Sequence, residues 1–184
     1  MAAPTIITRG RGAILKVKAQ RVVNARVDKV FSYLADLESR LREAVRDGSV
    51  EKTSEGPVGV GSTFEVRETR TDMYGTHTTT VVEEVKEFVP NKRLVYERLV
   101  GEPPATRAVR SSVEVEAVAG GTQITKSYEH LLRSLRAKPL MLGLIFLTMP
   151  ILRLVEYWDL TRELRRIQSA VEAEQSGGSS QPTP

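Results

Sequence analysis

Residues 49–131 alternate apolar and polar side chains almost without interruption, and this stretch constrains the fold more than any other feature of the chain. A period of two places successive side chains on opposite faces of a β-strand. Turn residues break the pattern at short intervals and predict strands over residues 49–54, 62–71, 76–89, 93–100, 106–118 and 122–131. The separators, among them Tyr74-Gly75 and Pro90-Asn91, are short enough to require antiparallel hairpins. The stretch therefore predicts a strongly curved antiparallel meander.

Another strand and two helices are predicted before this meander. The sequence from Ala13 to Ala25 alternates as well, which indicates a long half-buried strand. From Val27 the apolar residues recur at helical spacing, with Asp28 as the expected N-cap. A break near Asp36 indicates two short helices rather than one. Seven antiparallel strands are thus expected in all.

The last part of the chain predicts one long helix with two dissimilar halves. Residues 139–152 carry no charge, and at about 1.5 Å per residue they would extend only about 21 Å, short of the roughly 30 Å core of a bilayer. We therefore expect no transmembrane span, and Pro150 should kink or restart the helix. The second half places Leu160, Leu164, Ile167 and Val171 on one stripe and is expected to turn Arg162, Glu163, Arg165 and Arg166 to water.

Composition favours one soluble domain. With 184 residues and a net charge of +4 spread along the chain, we expect a flexible segment over residues 1–12, a single domain over 13–172 and a disordered tail over 173–184. The first residues lack the apolar run of a secretory signal, so a cytoplasmic location is expected. The scattered basic residues favour a solvated surface over nucleic acid binding. The absence of cysteine and the presence of only two histidines argue against a transition-metal site, and no cofactor is expected.

Five segments together carry a resemblance to a known superfamily: residues 25–36, 56–64, 85–96, 121–125 and 160–167. In order and spacing they resemble the START/polyketide-cyclase (SRPBCC) superfamily. The resemblance implies an α+β helix-grip fold, in which a seven-stranded curved antiparallel sheet, two short helices and a long C-terminal helix enclose a cavity. It leaves function open, because the superfamily includes lipid and quinone carriers, hormone and polyketide binders, cyclases and oxygenase subunits. Where relatives often have Pro-Trp, this chain has Ser39-Arg-Leu-Arg42.

Strand alternation and helical spacing give a set of candidate cavity residues. Glu68 and Arg70 follow Phe64 and Val66 in register, so they could orient a polar head group. We expect a mainly apolar lining, with simple core packing as the alternative. The candidate ligand-binding residues on the sheet are Phe64, Val66, Glu68, Arg70, Val81, Val85, Tyr96, Val113, Ile124, Tyr128 and His130, and those on the helix, which would cover the cavity, are Phe146, Leu147, Leu154 and Trp158.

Three hypotheses for function follow. The first is a non-catalytic carrier or sensor of a hydrophobic small molecule or lipid. The second is a cyclase or dehydratase in which His130 and Tyr128 act as acid and base, the alternative being a structural histidine at a strand end. In the third, the uncharged residues 140–152 make a transient contact with a membrane surface or a partner.

Overall fold

The computed structural model describes the backbone of residues 13–45, 47–72, 75–100, 107–132 and 139–177. Side chains are described within these ranges except at residues 13, 14, 70–72, 100, 107, 131, 132, 139–149 and 174–177. The predicted sites Arg70, Phe146 and Leu147 therefore lie outside the described side chains.

The seven strands form one antiparallel sheet. They are β1 (Ala13–Val23), β2 (Gly48–Lys52), β3 (Thr63–Asp72), β4 (Gly75–Val89), β5 (Arg93–Val100), β6 (Arg107–Val118) and β7 (Gly121–Leu132). Their order across the sheet is β1-β7-β6-β5-β4-β3-β2, so β2 to β7 make a continuous meander and β1 pairs with β7. The predicted strands are confirmed with slightly shifted ends. An irregularity in register between Val85 and Glu87 marks a bulge in β4, a feature that increases local twist.

Two short helices, α1 (Val27–Ala35) and α2 (Leu37–Ala44), connect β1 to β2. The break at Asp36 is confirmed, because the Asp36 carboxylate caps α2 by accepting a hydrogen bond of 3.2 Å from the Ser39 amide. The prediction of Asp28 as the N-cap of α1 was wrong. Val27 is already helical, so Arg26 occupies the N-cap position and Asp28 lies in the first turn, where its carboxylate pairs with Arg26 at 3.1 Å.

The long helix α3 spans Pro139–Gly177 and includes Pro150. It does not restart at Pro150, and it continues past residue 172, where the domain was expected to end. Within the ranges that the structure describes, no helix is long and apolar enough to cross a membrane.

The hydrophobic core lies between the curved sheet and the helices. The predicted stripe of α3 is confirmed, since Leu160, Leu164, Ile167 and Val171 are all buried. They pack in one cluster with α1 and with the inner face of the sheet, including Phe64 and Ile124. The second half of α3 is therefore anchored on the sheet by its apolar side, which fixes the position of the polar residues beside that stripe.

Candidate functional site

A cavity of about 860 Å³ lies between α2, strands β4 to β7 and α3. Leu37 and Leu41 of α2, Val109 of β6 and Ile167 of α3 give it apolar walls. Most of the lining is polar, namely Tyr33, Arg40, Glu43, Glu83, Tyr96, Arg98, Ser111, Tyr128, His130, Glu156, Asp159, Arg162, Glu163 and Arg166. The expectation of a mainly apolar lining is thus wrong for the described residues, because strand positions that face inward carry charges held in pairs.

Glu163 of α3 is the centre of a polar cluster that joins the helices to the sheet. Its Oε1 accepts hydrogen bonds from the Nζ of Lys126 and, at 2.9 Å, from the Nη2 of Arg40. Its Oε2 accepts a hydrogen bond of 2.7 Å from the hydroxyl of Tyr128. Arg40 also donates to the carbonyl of Leu34 at 3.1 Å. This carboxylate therefore joins α2, α3 and β7, and the prediction that Glu163 faces water was wrong.

The Glu163 cluster has defined protonation states at neutral pH. Burial alone would raise the pKa of the Glu163 carboxyl, but Lys126 and Arg40 lower that pKa from 4.5 to about 2. Burial and the Glu163 carboxylate raise the pKa of the Tyr128 hydroxyl well above 10.0. Glu163 is therefore ionised, and Tyr128 remains a neutral hydrogen-bond donor.

Lys126 makes this cluster unusual, because its side chain is 0% exposed. A buried ammonium group needs a compensating charge, which Glu163 supplies. The Tyr128 ring adds a second contact, with the Lys126 Nζ 5.1 Å from the ring centroid. Lys126 is held in place by both.

Two further charged pairs lie along the cavity. In the first, Glu83 of β4 is 1% exposed and accepts a hydrogen bond of 2.6 Å from the Nε of Arg98 on β5. In the second, the Nε2 of His130 on β7 lies 3.1 Å from the Oε1 of Glu156 on α3, close enough for an ion pair when the imidazole is protonated. The charges of these four residues are therefore compensated by a neighbour across the cavity wall.

Unused hydrogen-bonding capacity remains on the sheet side of the cavity. Glu83 Oε2 and Ser111 Oγ are buried, and neither has a hydrogen-bond partner within the described part of the chain. Ser111 lies between Tyr96 and Tyr128 in the strand register. Such buried atoms favour a partner that can hydrogen-bond to them.

The predicted site residues divide into two groups in the structure. Tyr96, Tyr128 and His130 lie along the cavity. The buried apolar predictions Phe64, Val66, Val81, Val85, Val113 and Ile124 are not among the residues that line this cavity, and all except Val81 belong to the core cluster. Glu68 is half-buried in register with Phe64 and Val66, also outside the cavity lining. A role for these residues in ligand binding stays a prediction.

The two described helix residues predicted to cover the cavity do not do so. Leu154 is 58% exposed and Trp158 is 53% exposed, and neither lines the cavity. The physical reason is that the side of α3 that carries Leu160 and Leu164 packs on the sheet. Leu154 and Trp158 lie on the opposite side of the helix and therefore point away from the sheet.

Sequence reasoning did not identify several residues of the site, namely Arg40, Glu83, Arg98, Ser111, Lys126, Glu156 and Glu163. Alternation gave a usable signal for Lys126, because Ile124, Tyr128 and His130 occupy the same face of β7. A charged residue in such a series usually reaches solvent, so its burial was not expected. For Arg40 the segment Ser39-Arg-Leu-Arg42 was noted as a departure, and the structure places the Arg40 guanidinium in the cavity.

No metal site was predicted. Among the described side chains, no group of three or more histidine, aspartate and glutamate residues is arranged to hold a metal ion.

The curved seven-stranded sheet, the two short helices, the long C-terminal helix and the cavity between them define a helix-grip protein of the SRPBCC superfamily. A family described as polyketide cyclase/dehydrase and lipid transport matches residues 15–144, and the chain belongs to this family. No curated protein matches the sequence significantly.

Solved structures with the same fold come from varied proteins. The structure of Ara h 8.0201 has a TM-score of 0.57 at 16% identity and covers 87% of this chain and 96% of its own. The Zhui aromatase/cyclase from Streptomyces sp. R1128 has a TM-score of 0.59 at 15% identity, covering 86% of this chain and 93% of its own. A protein from Thermus thermophilus has a TM-score of 0.57 at 16% identity, covering 87% and 99%. These similarities show the fold.

Proposed function

We propose that the protein binds a hydrophobic small molecule, of the lipid or aromatic class, that carries at least one hydroxyl group. The observation that carries this proposal is the 860 Å³ cavity, which combines apolar walls with two buried polar atoms that lack a described partner. Membership of a family described as polyketide cyclase/dehydrase and lipid transport supports the same class of ligand. The protein would act as a carrier or sensor.

The hydroxyl follows from the chemistry of the sheet side of the cavity. Glu83 Oε2 can only accept a hydrogen bond, and Ser111 Oγ can accept or donate one. The neighbouring charged groups already have partners. Arg98 donates a hydrogen bond to the other carboxylate oxygen of Glu83, and Glu156 lies beside His130. A charged ligand would compete with those pairs, whereas a neutral hydroxyl adds the missing donor without displacing one.

Removal of the ligand's own apolar surface from water supplies most of the binding free energy. At about 25 cal/mol per Å², covering roughly 300 Å² of apolar ligand surface contributes about 7 kcal/mol before costs. Loss of translational and rotational freedom reduces this to an affinity in the micromolar range.

Native mass spectrometry of the protein purified from its own host, followed by organic extraction, tests the proposal directly. We expect a stoichiometric apolar passenger that contains a hydroxyl group. Titration with 1-naphthol and 1-methoxynaphthalene then compares a donor with a matched ether. We expect 1-naphthol to bind at least fivefold more tightly, and Ser111→Ala to reduce that preference. An empty protein that binds neither probe would contradict the proposal.

A second candidate function is a dehydratase, favoured by His130 and Glu156, which lie 3.1 Å apart along the same cavity. The imidazole would remove the proton α to a carbonyl and then protonate the β-hydroxyl group, which leaves as water. Tyr128 would orient the cluster rather than transfer protons, because its hydroxyl donates to Glu163.

The dehydration of 4-hydroxy-4-phenylbutan-2-one to benzylideneacetone tests this second function. A dehydratase should lose turnover in the His130→Gln variant while retaining 1-naphthol binding. A carrier should show no turnover above buffer in either form.

A further inference from the structure

A compact apolar patch lies on the outer side of α3, and its residues do not line the cavity. Of the nine large apolar side chains that are exposed in the described residues, five fall within two turns of this helix. They are Ile151 (66% exposed), Leu152 (45%), Leu154 (58%), Val155 (52%) and Trp158 (53%). Positions 151, 154, 155 and 158 have the spacing i, i+3, i+4 and i+7, which places them on one face of the helix.

The same outer face becomes basic one turn further along. Arg162, Arg165 and Arg166 follow Trp158 by four, seven and eight residues and are all exposed. The opposite face is buried on the sheet through the stripe that includes Leu160 and Leu164. An apolar turn is therefore followed directly by an exposed arginine turn.

The acidic residues of this part of α3 do not cancel that charge. Glu163 faces inward and binds Lys126 and Arg40, and Glu156 lies beside His130. Asp159 is the remaining acidic residue between positions 150 and 166, and it is exposed. The outer face thus carries three arginines against one aspartate.

We propose that this face of α3 binds a membrane surface that contains anionic lipids. Apolar side chains at helical spacing enter the boundary between head groups and acyl chains, and a tryptophan favours the interfacial depth. Guanidinium groups one to two turns away pair with lipid phosphates. The charge of the patch selects an anionic bilayer over a second copy of this chain, since two copies would bring the same arginines together.

This docking surface is independent of the ligand proposed above, although the two are adjacent. Arg162 and Arg166 also line the cavity. A membrane bound at the outer face of α3 would therefore lie close to the cavity at Arg162 and Arg166. This proximity would favour the exchange of an apolar ligand between the cavity and the lipid.

Trp158 provides a direct reporter, because it is the single tryptophan of the chain. Its emission is measured during the addition of vesicles. One set contains phosphatidylcholine alone, and the other contains phosphatidylcholine with about 30% phosphatidylglycerol, an anionic lipid. We expect a blue shift and co-sedimentation with the anionic vesicles, with affinity at least tenfold higher than for phosphatidylcholine alone. Brominated lipids should quench the emission.

Matched variants locate the contact. The Ile151→Glu/Val155→Glu variant retains Trp158 and should bind anionic vesicles at least tenfold more weakly. The control Val60→Glu changes an exposed valine (69% exposed) far along the chain and should bind within twofold of the wild type. Arg165→Gln should weaken binding about threefold, whereas Arg67→Gln, an exposed arginine of β3, should not.

Three results would overturn the proposal. The first is an unchanged Trp158 emission with anionic vesicles. The second is equal binding to both vesicle types, which would remove the role of the arginines. The third is a blue shift that depends on protein concentration without vesicles and disappears in Ile151→Glu/Val155→Glu, since that would assign the face to self-association.

Discussion

Glu163 shows how one side chain can join three elements of this fold. Its two carboxylate oxygens accept hydrogen bonds from α2, through Arg40, and from β7, through Lys126 and Tyr128. A network with every member satisfied stabilises the fold and positions its groups, whereas a half-satisfied one is costly. Charge pairing as well as apolar packing therefore fixes the position of α3 on the sheet.

Replacing Glu163 with glutamine should destabilise the protein by about 2–3 kcal/mol, somewhat less than the 3–5 kcal/mol typical of a fully buried pair. The reason is that Lys126, at 0% exposure, loses its compensating charge, while Glu163 itself is 30% exposed. Urea unfolding of Glu163→Gln against the wild type measures the change. The control Glu55→Gln alters an exposed loop carboxylate and should stay within 0.5 kcal/mol of the wild type, about the usual limit for surface changes.

The low pKa of Glu163 also predicts how stability depends on pH. Its pKa falls from 4.5 to about 2 on folding, so the unfolded chain takes up the proton first as the pH decreases. The stabilisation is complete above about pH 4.5 and is lost as the pH falls toward 2. The stability difference between wild type and Glu163→Gln should therefore shrink across that window. A difference that stays constant from pH 6 to about 2.5 would contradict the assigned ion pairs.

At this site, the sequence predicts which face of a strand a residue occupies but not which distant residue it contacts. Tyr128 and His130 were placed in the cavity correctly, because alternation along β7 is a local property. Their partners were not identified, since Arg40 and Glu163 lie 123 residues apart in sequence and meet only when α2 and α3 pack on the sheet. Pairing of this kind depends on the tertiary arrangement, which hydrophobic periodicity does not encode.

The helix α3 has different chemistry on its two sides. Its inner side carries Leu160 and Leu164, together with the buried contacts of Glu163. Its outer side carries the apolar patch and the arginine turn. The sequence predicted the inner stripe from i, i+4 spacing, but it assigned Leu154 and Trp158 to the cavity because an apolar residue is usually expected inside.

The hairpin between β6 and β7 depends on the backbone of one glycine. Gly121 has φ 140°, and a Cβ there would lie 2.1 Å from the Val23 carbonyl oxygen of the neighbouring strand. Gly121→Ala should therefore destabilise the protein by about 2–3 kcal/mol through strain and steric overlap.

Gly59 offers the matched control for this substitution. A Cβ at Gly59 would meet nothing within 4 Å, and its φ is not in the left-handed region. Gly59→Ala should change the free energy of unfolding by less than about 1 kcal/mol. Thermal unfolding of both variants gives the comparison, and equal melting temperatures would show that β6 and β7 adjust without cost.

At the scale of the whole molecule, the sheet and α3 pack around a partly open space that the described side chains do not fill. The meander could be predicted from the chain itself, because short turns leave consecutive strands no alternative. The arrangement of the helices around a cavity was implied by the resemblance to helix-grip proteins. The lining could not be predicted in the same way. Inward positions such as Glu83 and Arg98 become tolerable only when the two strands place them side by side.

Because residues of α2, four strands and α3 all line the cavity, a bound ligand should stabilise the domain. With 1-naphthol at about 100 times its dissociation constant, the stabilisation should be about 2.7 kcal/mol. For a chain of 184 residues this corresponds to a rise in melting temperature of about 5–10 °C. Ser111→Phe, which fills the cavity from β6, should remove most of that rise, whereas Ser49→Phe on the exposed edge strand β2 should retain it. A rise of the same size in both variants would place the bound molecule outside the cavity, because only the change at Ser111 alters its volume.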